Sequence, residues 1–195
     1  AMQMCRRLGG AFVWLRAEPR MADMGAFLTS LESAFRNAFP KYDLPALASQ
    51  DIAFPVDYLR RLIAAGGRGN RITVVLDDLH VLPAEAAVHQ ALADAVSDDT
   101  GDIRVVLVSR EAQHPAWLRL NAIGKAMVVD FDMLKLNETE ADELISAFDG
   151  DCSRWSAPEL VRASGGWMLG ACLLLQSAMS RADDAADRLA PDSTD

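Results

Sequence analysis

The chain has 195 residues, of which 51% are apolar and 24% charged, and its formal net charge is -9 at pH 7. This length and apolar content allow one α/β domain with a small appendage and a buried core that needs no disulfide bonds. The negative charge disfavours this chain as a nucleic-acid-binding segment, because a phosphate backbone requires clustered lysine and arginine.

The three cysteines, Cys5, Cys152 and Cys172, lie far apart and show neither a CxxC pair nor the spacing of zinc ligands. We therefore predict reduced, structural thiols. No signal peptide is recognised, and the longest apolar run, GACLLLQSAM, is too short to cross a bilayer. These features predict a cytoplasmic protein that does not bind a membrane.

Four apolar segments are predicted to form β-strands, at 10–17, 71–78, 102–110 and 125–134. The second and third segments, RITVVLDD and DIRVVLVSR, are continuous β-branched runs without polar alternation. That pattern is typical of parallel strands that are covered on both faces.

Helical patterns lie between the predicted strands. Apolar residues recur at helical spacing over 27–39, again over 59–63 after Pro55, and in a third helix whose first turn is predicted to include Pro83. Strands that alternate with helices predict a parallel sheet with helices on both sides.

After Leu136 the pattern changes to helices only. The sequences NETE at 137–140 and SAPE at 156–159 each place a capping residue three positions before a glutamate, which is typical of helix starts. The final residues are acidic and rich in alanine. The predicted organisation is a truncated α/β core, a small helical lid subdomain and a disordered acidic tail, at 1–136, 137–182 and 183–195.

Two adjacent acids end the second predicted strand, in the run TVVLDD. In a parallel sheet, functional sites form at the carboxyl ends of the strands. Asp77 at this place can orient Mg²⁺ and its waters, and Asp78 can polarise an attacking water or sense a terminal phosphate. The alternative is a strand end with solvated acids, in which Asp78 only starts a turn.

Two further motifs can contribute to a phosphate site. The run VVLVSR ends another predicted strand in Ser109 and Arg110, which can contact a terminal phosphate; the alternative is an ordinary strand end with an exposed arginine. In ASGGWMLGACLLL, Gly165 and Gly166 precede an apolar helix, and glycines there let backbone N–H groups approach a ligand. The alternative is a joint between two helices, with Trp167 buried in the core.

The three motifs, in this order, resemble the nucleotide-binding domain of the STAND ATPases, and most of all the MalT-like, LuxR-family ATP-dependent transcriptional regulators. VVLDDLHVL resembles the Walker B strand of that family, VVLVSREAQHPAWLRL its sensor strand, and LKLNETEADELI with ASGGWMLGACLLLQSAM its helical lid. The resemblance covers nearly the whole chain and implies a P-loop NTPase-like fold that binds ATP and Mg²⁺.

Residue by residue, the resemblance implies that Asp77 binds Mg²⁺ and that Asp78 is the catalytic or sensing carboxylate. It implies that Arg110 lies near the γ-phosphate. Residues 165–167 correspond to the lid motif that approaches the nucleotide, although a proline found there in some relatives is absent. His80 can contact the surroundings of the acids or lie at a solvent-exposed turn.

The phosphate-binding loop, G-x-x-x-x-G-K-[ST], is absent from this sequence. The run GGRGNR at 66–71 has glycines but neither Lys-Ser nor Lys-Thr, and it directly precedes the Walker B-like strand. Residues 1–8 resemble the end of the helix that follows the loop in the family. We therefore expect weak ATP binding and negligible hydrolysis, and we expect the segment 102–110 to pair either with 125–134 or with another chain.

Two functions follow. The first is a regulatory switch domain that, when whole, changes state with its nucleotide and controls oligomerisation and a DNA-binding domain outside this chain. The second is a non-enzymatic, NTPase-like module that binds protein partners or itself. A Rossmann-type enzyme is a poorer alternative, because no glycine fingerprint or nucleophile is present.

Overall fold

A computed structural model of the chain describes residues 11–67, 72–97, 103–111, 114–148 and 155–189, with side chains to Ala178. The chain divides into two compact units, Ala1–Met127 and Val128–Asp195. This division lies ahead of the boundary after Leu136 that the sequence predicted. In the described residues, no helix combines the length and apolar character that a membrane span requires.

Three parallel strands form the sheet of the first unit: β1 (Ala11–Arg16), β2 (Ile72–Asp77) and β3 (Ile103–Leu107). Their spatial order is β1-β2-β3, and they pair in register, with Val74 between Val13 and Val105. These strands confirm three of the four predicted segments, although residues 10, 71 and 102 lie outside the described part. The first unit is therefore an α/β fold with a small parallel sheet.

Helices connect the strands because a chain that leaves the carboxyl end of one parallel strand must return to the opposite end of the sheet before the next strand begins. The first crossover contains α1 (Met24–Ala38), α2 (Ser49–Ala53) and α3 (Pro55–Gly66). The second contains α4 (Ala87–Ser97), and α5 (Pro115–Ala122) follows β3. The stripes over 27–39 and 59–63 are confirmed as buried faces of α1 and α3. Pro83 lies before α4 rather than in its first turn, since its carbonyl accepts the Ala86 N–H in a separate turn.

The main apolar cluster of the first unit takes its strand residues from one face of the sheet, although Val75 on the other face is also fully buried. Alternate side chains of all three strands pack against α1, α3, α4 and α5; they include Val13, Leu15, Ile72, Val74, Leu76 and Val105. The opposite face carries Phe12, Trp14, Val75 and Val106, none of which joins that cluster. Among the described residues, the predicted helical cover is therefore seen on one face of the sheet.

The fourth predicted strand, 125–134, is wrong. Residues 126–130 have no regular structure, and Phe131–Leu134 form a short helix, α6. The Asp130 side chain starts this helix by accepting the Met133 N–H at 3.0 Å. A strand needs a neighbour to satisfy its backbone groups, and none pairs with this segment in the described chain. The predicted direct pairing of 102–110 with 125–134 is therefore also wrong.

The second unit continues with α7 (Glu138–Ala147), α8 (Ala157–Ser164) and α9 (Met168–Leu189). Both predicted helix starts are confirmed. Glu140 and Asn137 exchange hydrogen bonds in a capping box, and Glu159 accepts from the Ser156 backbone and hydroxyl. A separate core of Leu136, Ala141, Ala157, Leu160, Ala171 and Leu175 holds these helices together.

Two smaller predictions concern the tail and the thiols. Helix α9 continues to Leu189, into the segment predicted to be disordered, and residues 190–195 lie outside the described part. Cys172 is a free thiol, as predicted. Cys5 and Cys152 lie outside the described residues.

Candidate functional site

The carboxyl edge of β2 and β3 brings together two of the sequence motifs. Asp77 is the last residue of β2, and the pairing continues beyond β3 because the Val108 N–H donates to the Leu76 carbonyl at 2.9 Å. The Leu79 N–H then donates to the Val108 carbonyl at 3.0 Å. Ser109–Arg110 follow immediately. The predicted residues of both strands therefore lie at one edge of one parallel sheet.

Asp78 is held in a backbone conformation that non-glycine residues rarely adopt. Its φ is 56° and its ψ is 35°, in the left-handed region, which an aspartate tolerates better than most residues. Its N–H donates to Asp77 Oδ1 at 3.0 Å, and its carbonyl accepts the Val81 N–H at 3.0 Å. Asp78 thus does start a turn, as the simpler interpretation of the motif expected.

The Asp78 carboxylate already has a cationic partner. Arg16 Nε lies 2.7 Å from Asp78 Oδ2, and Arg16 is placed there because it pairs in register with Asp77 at the end of β1. The side chain of Asp78 is 17% exposed and that of Arg16 is 73% exposed. The second predicted carboxylate is therefore neutralised from within the chain.

His80 lies in a single helical turn, Leu79–Val81, directly after the acids. Its Nδ1 atom is 3.9 Å from Asp78 Oδ1, beyond hydrogen-bonding distance, and it has no hydrogen-bond partner among the described residues. The side chain is 20% exposed. His80 therefore borders the acids without being bonded to them.

Ser109 and Arg110 differ in whether their side chains have a partner among the described residues. The Ser109 hydroxyl oxygen accepts the Glu111 N–H at 3.1 Å and closes a short turn. Arg110 is exposed, and no ion pair holds it within the described residues. A free guanidinium at this edge can bind an anion such as a phosphate.

The glycine motif belongs to the second unit. Gly165 and Gly166 have φ of 62° and 77° and end α8. Their N–H groups donate to the carbonyls of Arg162 and Val161, and the Trp167 N–H donates to that of Ser164. These three donors are thus used in hydrogen bonds inside the unit.

Trp167 is 53% exposed, so it is not the buried anchor that the alternative interpretation expected. Its ring lies over Gly170, where an added Cβ would come within 2.8 Å of Cε3. Gly170 is therefore what allows the ring to fold back onto the first turn of α9.

Two carboxylates alone do not complete the coordination shell of a metal ion. In the part of the chain that the structure describes, no group of three or more His, Cys, Asp or Glu could hold a metal ion. Magnesium at phosphate sites is often held by one or two carboxylates, with substrate phosphates and water as the other ligands. Asp77 keeps one carboxylate oxygen, Oδ2, without a recorded hydrogen bond among the described residues. Asp77 can therefore supply one ligand to a magnesium ion whose other ligands are phosphates and water.

An open depression of about 340 Å³ lies away from this edge. It is formed between the loop before α2 and helix α3, and it contains none of the predicted site residues; its lining is Asp43, Leu44, Pro45, Arg61, Ala64 and Ala65. We therefore place the candidate site at the strand edge and not in this depression.

Two features of the edge were missed in the sequence. Arg16 ends an apolar run in the same way as Asp77, and parallel strands in register bring such ends together; this signal was available. The second feature is the contact between His89 and His114, whose rings stack although the residues are far apart in the chain. The one local signal near His114 is Pro115, because proline suits the first turn of a helix.

Comparison with protein-family models found no match to this chain, and a search of curated proteins found none either. The resemblance to STAND ATPases therefore depends on the motifs quoted above.

Proposed function

We propose that this chain is the acid-bearing part of a nucleotide-responsive regulatory domain of the STAND type. The observation that supports the proposal is the shared edge, where Asp77 ends β2 and Ser109–Arg110 follow β3 in a parallel sheet. Such an edge is where α/β proteins bind phosphate-containing ligands. The MalT-like, LuxR-family assignment belongs to this proposal.

In the proposed site, Arg110 binds the terminal phosphate and Asp77 supplies one oxygen to Mg²⁺. A bound Mg²⁺ would neutralise charge on the phosphates. Asp78 is a positioning residue and not a general base, because its Oδ2 is held by Arg16. We propose weak ATP binding and no measurable hydrolysis, because the sequence has no phosphate-binding loop and a net charge of -9 repels an anion.

The regulatory role extends to partners. The acidic chain is proposed to respond to nucleotide through protein contacts, with any DNA-binding domain elsewhere in a longer protein. ATP and Mg²⁺ are the cofactors of this proposal, and other protein chains are its partners.

The test uses NMR, because it detects binding in the millimolar range. Titration of labelled protein with Mg-ATP should shift the amide signals of 108–111 and 76–79, without saturation below about 1 mM, which corresponds to a binding free energy near -4 kcal/mol. Arg110→Ala should reduce these shifts. Arg104→Ala, which removes an exposed arginine earlier in β3, is the matched control and should leave them unchanged.

Two results would count against the proposal. Shifts that are confined to residues away from this edge would reject the site. Binding at micromolar concentration would reject the claim that the phosphate-binding loop is needed.

A second candidate function, a protein-interaction module, is favoured by the apolar surface of the second unit. The chain that follows α6 and the turn that precedes α9 are joined by a hydrogen bond from the Leu136 N–H to the Gly166 carbonyl, at 2.9 Å. Large side chains on both sides of this contact are exposed by 41–66%: Val128, Val129, Phe131, Met133, Leu134, Trp167, Met168, Leu169 and Leu173. Apolar surfaces of this kind mark interaction sites.

Analytical ultracentrifugation tests this second candidate. The double variant Met133→Lys, Leu169→Lys should lower self-association, because it places two charges on the apolar surface. Glu143→Lys changes the net charge by the same amount at an exposed position of α7 and is the control. Equal behaviour of both variants would show that overall charge, and not this surface, governs association.

A further inference from the structure

His89 and His114 lie face to face in the first unit, at the N-terminal ends of α4 and α5. Their ring centroids are 4.3 Å apart and the rings are inclined by 15°. His89 is in the first turn of α4, and His114 is the residue that caps α5. The sequence contains three histidines in all, and two of them form this contact.

The hydrogen bonds of His114 define which nitrogen carries its proton. Nδ1 accepts the Ala116 N–H at 3.1 Å, so Nδ1 has no proton. Nε2 therefore carries the proton and donates it to the Ala84 carbonyl at 2.7 Å. The neutral ring thus caps α5 with one nitrogen and holds the loop before α4 with the other.

His89 is enclosed where a charge is unfavourable. The residue is 4% exposed, and neither ring nitrogen makes a hydrogen bond of acceptable geometry among the described residues. The carbonyls of Leu82 and Pro83 lie near enough to attract a proton on the ring. Burial first, and the neighbouring His114 second, lower the pKa of His89 below its ordinary value.

Among the described residues, no carboxylate acts on the His89 ring to favour a proton there. Of the described charged groups, His114 alone acts on His89 through its charge. Glu85 and Glu111, on the two loops that meet here, are exposed and form no ion pair among the described residues. Asp94 of α4 is instead paired with Arg119 of α5, at 3.5 Å.

We propose that the His89–His114 stack is an acid-sensitive latch that holds the start of α5 against α4 and opens when the two rings are protonated. A proton on Nδ1 of His114 turns the acceptor of the Ala116 N–H into a second donor, so the cap of α5 is lost. Two stacked imidazolium rings also repel each other. Neutral rings keep the latch closed.

The direction with pH follows from the lowered pKa of His89. An unfolded or opened segment binds a proton near pH 6.5, whereas the closed form binds it only at lower pH. The closed form is therefore fully favoured above about pH 6.5 and loses stability as the pH falls from there towards the lowered pKa.

Opening would free the segment between β3 and α5. Ser109 and Arg110 lie in that segment, ahead of His114. At its other end α5 stays attached, because Lys125 Nζ donates to the Ser97 carbonyl at the end of α4, and Leu120 is buried in the core. The latch thus acts on the N-terminal turn of α5 and the loop that precedes it.

Amide hydrogen exchange on the full chain tests the proposal. Between pH 7.5 and pH 5.5, protection of the Ala116–Leu120 amides, corrected for intrinsic exchange, should fall severalfold, because the closed form binds the proton of His89 less readily than the opened form. In the double variant His89→Phe, His114→Asn the fall should disappear, since asparagine still caps a helix and neither residue titrates. His80→Gln is the matched control and should retain the fall.

An equal fall in the double variant, or none in the native protein, would overturn the proposal. If the double variant does not fold, NMR titration of the histidine ring signals in the native chain decides. A His89 ring that titrates below its ordinary range supports the latch. A His89 ring that titrates within its ordinary range overturns it.

Discussion

At the scale of single residues, Asp51 shows how one buried charge can order a loop. It is 5% exposed, its Oδ2 accepts the Ala48 N–H at 2.8 Å, and its Oδ1 accepts from Arg61 of α3. Arg61 also lies over the ring of Tyr58. Each carboxylate oxygen thus has a partner, which is the condition for burying a charge at acceptable cost.

Asp51→Asn should destabilise the first unit by about 2 kcal/mol, because it removes a charge-assisted bond and leaves Arg61 without its counter-ion. Asp57→Asn, an exposed position in the first turn of α3, should change the free energy of unfolding by about 0.5 kcal/mol or less. Urea unfolding followed by circular dichroism measures both. Similar losses in the two variants would show that the buried ion pair has no special role.

Tyr58 gives the first unit a dependence on alkaline pH. It is fully buried, and its hydroxyl donates to the Pro45 carbonyl at 3.3 Å. Burial, followed by the charge of Glu32, raises the pKa of Tyr58 from 10.0 to about 12. The neutral phenol is favoured in the folded state, so its contribution to stability is complete below pH 10 and is lost as the pH rises towards 12.

Between pH 9 and pH 12, the native protein should therefore lose about 2 kcal/mol more stability than Tyr58→Phe, which cannot ionise. Ultraviolet absorbance of tyrosinate should show one of the two tyrosines titrating late, and Tyr42→Phe should leave that late step in place. A parallel pH dependence in the native protein and Tyr58→Phe would contradict this account.

At the scale of elements, the turn between α8 and α9 depends on its two glycines to different degrees. Both have positive φ, but a Cβ on Gly166 would lie 3.0 Å from Lys135 Cγ and 3.1 Å from its Cβ, whereas nothing lies within 4 Å of a Cβ on Gly165. The chain before α7 runs past Gly166, and this close approach needs a residue without a side chain.

Gly165→Ala should cost about 1 kcal/mol for its left-handed backbone, and Gly166→Ala should cost about 1 kcal/mol more because Lys135 must also move. Hydrogen exchange of the α7 and α8 amides should be faster in Gly166→Ala than in Gly165→Ala. Gly165→Asn should be nearly neutral, since asparagine tolerates that conformation. The reverse order would mean that the contact with Lys135 adapts without cost.

The elements that the sequence predicted are those with local signals. The β-branched runs of β2 and β3, and the capping residues Asn137 and Ser156, act within a few residues and identify their elements directly. The prediction of a strand at 125–134 was wrong because an apolar, β-branched run forms a strand only beside a neighbouring strand. The pairing of Arg16 with Asp78 and the stacking of His89 on His114 join distant parts of the chain. The first contact follows from the alignment of two predicted strand ends, whereas no local pattern specifies the second.

At the scale of the whole molecule, each compact unit has an apolar core of its own. Leu62 is fully buried in the first core and Leu160 in the second. Neither core cluster includes residues of the other. We therefore expect the two units to respond separately to a core defect.

Leu62→Ala and Leu160→Ala should each lower the stability of the unit that contains them by about 2–5 kcal/mol. Hydrogen exchange with mass spectrometry should show increased exchange in Ala11–Met127 for the first variant and in 128–178 for the second. Increased exchange of both units in either variant would mean that they unfold as one cooperative body.

The pairing of Arg16 with Asp78 also bears on how β1 finds its alignment. A shift of β1 by one residue along β2 would turn Val13 and Leu15 away from the helices. The same shift would carry Arg16 out of reach of the Asp78 carboxylate. The shifted register would thus lose both the burial of Val13 and Leu15 and the ion pair of Arg16 with Asp78. Apolar packing in the middle of β1 and an ion pair at its end therefore favour the same register.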